Sequence, residues 1–151
     1  MNLLLFQSKW LLAQLSRKEL QETIYEIVDT QQDGWLILDG VEESLLTKEE
    51  IDNLITKFFE ARNSGELSKL QALEIYTTHF ANQILSKAIE PYLGARAIWK
   101  ASSKAKIVGY HGVDPFIYAA SEFEDRPSER SFFEAAITEE AKQWVKKRLR
   151  N

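Results

Sequence analysis

Four polar side chains around residue 111 have the types needed for acid–base chemistry. His111 lies beside Gly112 and three residues before Asp114, and a carboxylate near an imidazole can orient it as a general base. Tyr110 and Glu122 add a phenol and a second carboxylate. These residues form a candidate site for an enzyme or a small-ligand-binding domain, although one histidine in a loop does not identify a reaction.

Other signatures of catalysis or metal binding are missing from the sequence. The chain has no cysteine, which excludes disulfides, thiolate metal sites and cysteine nucleophiles. It contains neither a Gly-x-Ser-x-Gly elbow nor a phosphate-binding Gly-rich loop. Residues 29–36 copy the first half of a calcium-binding loop, but Gly40 stands where that loop needs a bidentate glutamate. His79 has no acid or second histidine at helical spacing, so we interpret it as structural and expect neither a metal nor a cofactor.

Acidic residues are concentrated in one part of the chain, whose overall net charge is −4. Residues 19–60, called the acidic segment below, contain twelve acidic residues and two lysines, for a net charge of −10, and the remaining residues sum to +6. Charges of one sign beside apolar side chains suit the capture of a basic protein, because complementary potential speeds encounter and apolar anchors slow release. The predicted partner-binding residues are Asp33, Trp35, Asp39, Glu42, Glu43, Glu49, Glu50 and Asp52.

A basic stretch at residues 96–106 offers a third interpretation. It mixes Arg96, Lys100, Lys104 and Lys106 with Trp99, and such mixtures are typical of nucleic-acid adaptors. Against this, the chain as a whole is acidic, with a pI near 5.3. Phosphate binding at physiological salt usually needs more cations on one face, so the pattern argues against nucleic acid as the main partner.

Local signals predict helices along most of the chain. Capping boxes at Ser16, Thr47 and Ser68 begin helices, the first of which covers residues 17–29. The helix after Thr47 has the clearest apolar spacing and ends at residues 63–65, and the helix after Ser68 runs to residue 89. Pro91 must end or kink that helix, and helical spacing resumes beyond it.

The ends of the chain also favour helices. A short amphipathic helix is expected over residues 6–15, a helix at 116–123 with Asp114 as its N-cap, and a long final helix with a basic end after the break at Pro127. Residues 106–110 are expected to be extended, and residues 35–38 fit either a strand or a buried helical turn. We therefore predict one all-α domain over residues 1–151, a compact bundle or orthogonal array of six to seven helices with at most one small strand pair.

This organisation is similar to that of small immunity proteins, which neutralise bacterial toxins. The resemblance lies in one helical domain, an acidic surface and no catalytic motif, and it implies a basic toxin as the partner. The absence of cysteine, of an export signal and of a long apolar run leads us to expect a cytoplasmic protein that does not enter a membrane. An acidic part and a basic remainder would also allow copies of the chain to associate head to tail.

Overall fold

A computed structural model of the chain describes residues 2–20, 22, 48–61 and 67–149. Its helices are α1 (Leu3–Leu11), α2 (Lys48–Ala61), α3 (Lys69–Leu85), α4 (Pro91–Ala105), α5 (Asp114–Asp125) and α6 (Arg130–Leu149), with a 3-10 turn over Pro127–Glu129. Residues 17–20 and 22 are also helical, and no strand occurs in the described part of the chain. The prediction of an all-α fold is confirmed.

Reciprocal hydrogen bonds begin two of these helical stretches. The amide of Glu19 donates to the hydroxyl of Ser16 at 3.1 Å, and the amide of Ser16 donates to the carboxylate of Glu19 at 2.9 Å. Ser68 and Gln71 make the same pair of bonds at the start of α3. Each box satisfies an amide that has no partner inside its helix, so both predictions are confirmed. Thr47, residues 35–38 and residues 63–65 lie outside the described residues.

The break between α3 and α4 comes earlier than the sequence indicated. α3 ends at Leu85 rather than residue 89, and Lys87 takes a left-handed conformation with φ of 63°. Pro91 then occupies the first turn of α4, where its missing amide hydrogen removes no helical bond. The proline therefore begins a new helix instead of kinking the old one.

The connection before α5 corrects two predictions. Residues 106–110 do not form an extended piece, because Lys106 has a left-handed φ of 50° and residues 108–109 form a turn. Gly109 in that turn has a φ of 77°, which a glycine adopts readily. Val113 is the N-cap of α5, and Asp114 is already its first helical residue. The carboxylate of Asp114 bonds to the ring of His111 instead of capping the helix.

The main core surrounds α3, which packs against α1, α4 and α6, while α5 packs against α4 and α6. Its largest fully buried side chains include Leu73, Ile98, Phe116 and Ile137. α3 and α4 approach closely at Gly94, where a Cβ atom would lie 2.7 Å from the Cδ1 atom of Ile84. Any larger residue at this position must push the two helices apart or displace Ile84.

A smaller apolar cluster attaches α2 to α1. It contains buried Phe6, Ile55 and Phe59, with Trp10 and Leu20 packed against them. The rings of Phe6 and Phe59 lie 6.0 Å apart, and Trp10 stacks on Phe59 at 6.1 Å. These aromatic contacts decide which side of α2 faces the protein.

Candidate functional site

The outward face of α2 carries part of the acidic segment. Ile55 and Phe59 are buried against α1, whereas Glu49, Asn53, Lys57 and Glu60 are exposed. Each of these exposed residues is three or four positions from the next, a spacing that places them all on one side of a helix. Glu49 and Glu60 therefore face solvent because the apolar side of α2 is used for packing.

The predicted partner-binding residues are only partly described. Glu49 lies on the exposed face of α2. Glu50 and Asp52 belong to α2, but their side chains lie outside the described ones. The other predicted residues, Asp33, Trp35, Asp39, Glu42 and Glu43, lie outside the described residues.

Two further acids near the start of the acidic segment are described and exposed. The carboxylate of Glu19 is used in the capping box with Ser16. Glu22 lies 3.9 Å from the ammonium group of Lys18, and both side chains are largely in solvent. Such an exposed pair contributes little to stability, so the Glu22 carboxylate stays available to a partner.

His111 and Asp114 meet as the sequence suggested. Their Nδ1 and Oδ2 atoms lie 2.9 Å apart, a distance at which the ring nitrogen donates to the carboxylate. The histidine side chain is 79% exposed. The pair lines neither the groove along α3 nor the small cavity between α1 and residues 15–22.

The two remaining residues of this candidate site are directed elsewhere. Glu122 is eight residues beyond Asp114, about 12 Å along the α5 axis, and its Oε2 atom lies 2.6 Å from the Nε atom of Arg126. Tyr110 is half-buried against the main core, and its ring covers Gly112 so closely that a methyl group there would overlap it. Burial and the carboxylate of Glu74 raise the pKa of Tyr110. The structure brings together only His111 and Asp114 of the four.

The basic stretch at residues 96–106 lacks an exposed aromatic platform. Trp99 is half-buried against the main core, and the guanidinium of Arg96 lies 4.8 Å from its ring centroid. Arg96 is also 3.7 Å from the carboxylate of Glu124. Single-stranded nucleic acids are bound by bases stacking on exposed aromatic rings, which this stretch does not provide. Lys100, Lys104 and Lys106 are exposed.

A groove of about 820 Å³ runs along α3, between the start of α1 and the end of α6. Its polar lining includes Gln71, Glu74, Thr78, His79 and Arg148. This groove was not predicted from the sequence. The available signal was the polar stripe on that helix, which recurs every three to four residues from Gln71 to Ser86.

Two titratable side chains in the groove are altered by their surroundings. Burial lowers the pKa of His79, and the positive charge of Lys9 lowers it further. Burial also lowers the pKa of Arg148, while Glu74 and Tyr110 oppose that effect. Arg148 stays positively charged, because an arginine pKa has far to fall before the side chain loses its proton at neutral pH. The groove therefore offers one fixed cation and a neutral imidazole.

The described residues include no group of three or more acids and histidines arranged to hold a metal ion. None of their helices combines the length and apolar character needed to cross a membrane. Comparisons with protein-family models, with curated proteins and with solved structures find no match for this chain.

Proposed function

We propose that this protein is a non-enzymatic binding protein whose acidic segment captures a positively charged protein. The observation that carries the proposal is the segregation of charge, −10 over residues 19–60 against +6 over the rest of the chain. A net charge of −4 spread evenly would give no surface with such a field.

The attachment of α2 supports this proposal. Ile55 and Phe59 hold the helix against α1, so Glu49 and Glu60 are presented on a packed element rather than on a free chain. A carboxylate on a held helix loses less conformational freedom when a partner binds, and that freedom is a large cost of association. The electrostatic field then steers the partner toward this side of the molecule.

The partner class that fits best is a basic toxin, and the mechanism is steric and electrostatic occlusion. A toxin that acts on nucleic acid needs a positively charged site for the phosphates. An acidic surface that covers this site would block substrate without any chemistry of its own. The exposed position of the His111 side chain also favours binding over catalysis.

The test is a parallel capture from a lysate of the protein's own host at low salt, with elution by a salt gradient. Three tagged forms are compared: the wild type, an acidic-segment variant with Glu42, Glu43, Glu49 and Glu50 each changed to Lys, and a matched control. The control changes four exposed acids outside the segment to Lys and so alters net charge equally: Glu90, Asp125, Glu129 and Glu139.

We expect the wild type and the control to retain the same basic protein in equal molar amount, and the acidic-segment variant to lose it. Retention by all three forms, or loss from both variants alike, would show that the acidic segment is not the binding surface. If no form retains a protein, the acids are solvated side chains without a partner and the proposal is wrong.

The groove along α3 favours a second candidate function, the binding of a small ligand. Its volume is in the range of ligand pockets, and Gln71, His79 and Arg148 give it a few polar groups among apolar ones. Native mass spectrometry of the protein purified from its host tests this candidate. If His79→Phe loses a bound small molecule and His111→Ala keeps it, the ligand binds in the groove. If only His111→Ala loses it, the ligand binds at the loop.

A further inference from the structure

Two helix ends and a loop meet on one side of the molecule. Phe116, in the first turn of α5, packs edge-on against Trp144 near the end of α6, with the ring centroids 6.1 Å apart. Tyr110, in the loop between α4 and α5, is close enough to Arg148 for that charge to lower its pKa. The C-terminal ends of α4 and α6 therefore lie beside the loop of residues 106–113.

This region concentrates unpaired positive charge. We call it the basic end and define it by five exposed lysines at the ends of α4 and α6: Lys100, Lys104, Lys106, Lys146 and Lys147. None of them forms an ion pair with a described residue. Asp114 is bonded to His111, and Glu74 lies half-buried beside Arg148. The half-buried carboxylate of Glu140 interacts electrostatically with Lys147 and offsets part of its charge.

Exposed aliphatic side chains lie among these lysines. Val108, at the tip of the loop, is 98% exposed, and Leu149, in the last turn of α6, is 83% exposed. Apolar side chains surrounded by one sign of charge are the composition expected of a protein-binding surface. Phosphates of a nucleic acid would bind the lysines but would leave Val108 and Leu149 without apolar contacts.

We propose that the basic end binds the acidic segment of a second copy of this chain. The charges of the two surfaces are opposite, and the acidic segment also contains apolar residues, Trp35, Leu36 and Leu38, between its acids. Both surfaces are present at equal concentration whenever the protein is made. The contact joins different surfaces on the two copies, so it is a head-to-tail contact. Such a contact gives a closed assembly only when two copies exchange it reciprocally or when several copies form a ring.

This inference uses the same acidic segment as the proposed function but needs no foreign partner. It implies that a basic partner and a second copy compete for that segment. A variant changed only at the basic end separates the two ideas, because it should lose self-association and keep capture of the partner.

The experiment measures molar mass by light scattering at low salt (about 50 mM) and at high salt (about 0.5 M). At the high salt concentration, charges are screened within a few ångströms. The basic-end variant changes Lys104, Lys106, Lys146 and Lys147 to Glu. The acidic-segment variant is the one described above. A control changes four cations outside both surfaces to Glu, namely Arg17, Lys18, Lys69 and Lys87, each of which is exposed. Circular dichroism confirms that each variant is folded.

We expect the wild type and the control to have at least twice the 17.5 kDa of one chain at low salt, and one chain's mass at high salt. Each of the other variants alone should be monomeric at low salt, and mixing them should restore association, because the intact acidic segment of the basic-end variant can bind the intact basic end of the acidic-segment variant. A monomeric wild type at low salt, or a mixture that stays monomeric, would overturn the inference. Binding of phosphatidylglycerol vesicles or of a single-stranded oligonucleotide to a monomeric wild type would also overturn it, if the basic-end variant loses that binding. The partner of the basic end would then be a lipid or a nucleic acid.

Discussion

The indole nitrogen of Trp144 donates a hydrogen bond of 2.9 Å to the hydroxyl oxygen of Thr78, which joins the last helix to the central one. The same hydroxyl donates to the carbonyl oxygen of Glu74 at 2.8 Å. The guanidinium of Arg148 lies over the indole ring, 3.1 Å from its centroid. These contacts hold the end of α6 against α3, where it supplies both a wall of the groove and part of the basic end.

Replacement of Thr78 by Val should destabilise the fold by about 1–3 kcal/mol, because it leaves the indole N–H of buried Trp144 without its acceptor. The free energy of unfolding in urea measures the effect. Thr138→Val is the matched control, since Thr138 is also half-buried and bonds to the carbonyl four residues before it, but accepts no bond from a tryptophan. Equal losses in the two variants would mean that the Trp144 bond contributes nothing.

Gly94→Ala should be destabilising by about 1–3 kcal/mol, because the added methyl group would overlap Ile84. Helix propensity alone would favour Ala over Gly by about 1 kcal/mol, so a net loss reports the contact between α3 and α4. Thermal and urea unfolding measure it. Ile84→Val removes the nearest atom, and the double variant should lose less stability than the sum of the single variants. Strict additivity would contradict this account.

Stability should decrease as the pH falls below about 6.5, the ordinary histidine value, because the folded state lowers the pKa of His79. Below that pH the unfolded chain binds a proton that the folded chain resists, so unfolding is favoured until the pH passes the folded pKa. The stabilisation is complete above the ordinary value and is lost progressively below it. Melting temperatures between pH 5 and 8 provide the measurement.

Two variants assign that pH dependence to one residue. His79→Gln should flatten the slope between pH 7 and 5, because the titrating ring beside Lys9 is gone. Lys9→Gln should reduce the slope only in part, because burial, the larger cause of the lowered pKa of His79, remains. If His79→Gln keeps the wild-type slope, the half-buried histidine is not the cause.

Association with the captured basic partner should depend strongly on salt. Reversal of Glu42, Glu43, Glu49 and Glu50 to Lys should slow association and flatten its salt dependence, since the steering field is removed. Surface plasmon resonance at several salt concentrations measures the rate constants. The control reversals at Glu90, Asp125, Glu129 and Glu139 should keep most of the wild-type salt dependence. Unchanged association kinetics in the acidic-segment variant would count against the proposed function.

Local patterns in the chain placed some helix starts but not all, since α1 begins at Leu3 rather than residue 6 and α5 begins at Asp114 rather than residue 116. Ser16 with Glu19 and Ser68 with Gln71 form the expected boxes, and Pro91 and Pro127 stand where helical segments begin anew. These signals act over three or four residues, so they depend little on the rest of the fold. Apolar spacing likewise predicted that Ile55 and Phe59 share the packed side of α2.

Tertiary packing decided which distant side chains meet. Only the packing of α6 on α3 brings Trp144 to Thr78 and Arg148 beside the groove, although 66 residues separate the first pair. Within α5, by contrast, spacing along the chain already places Glu122 two turns beyond Asp114 and four residues before Arg126, with which it forms an ion pair. Spacing along a chain specifies neighbours within one helix, whereas neighbours between helices depend on how all the apolar faces are buried together, and no local pattern contains that information.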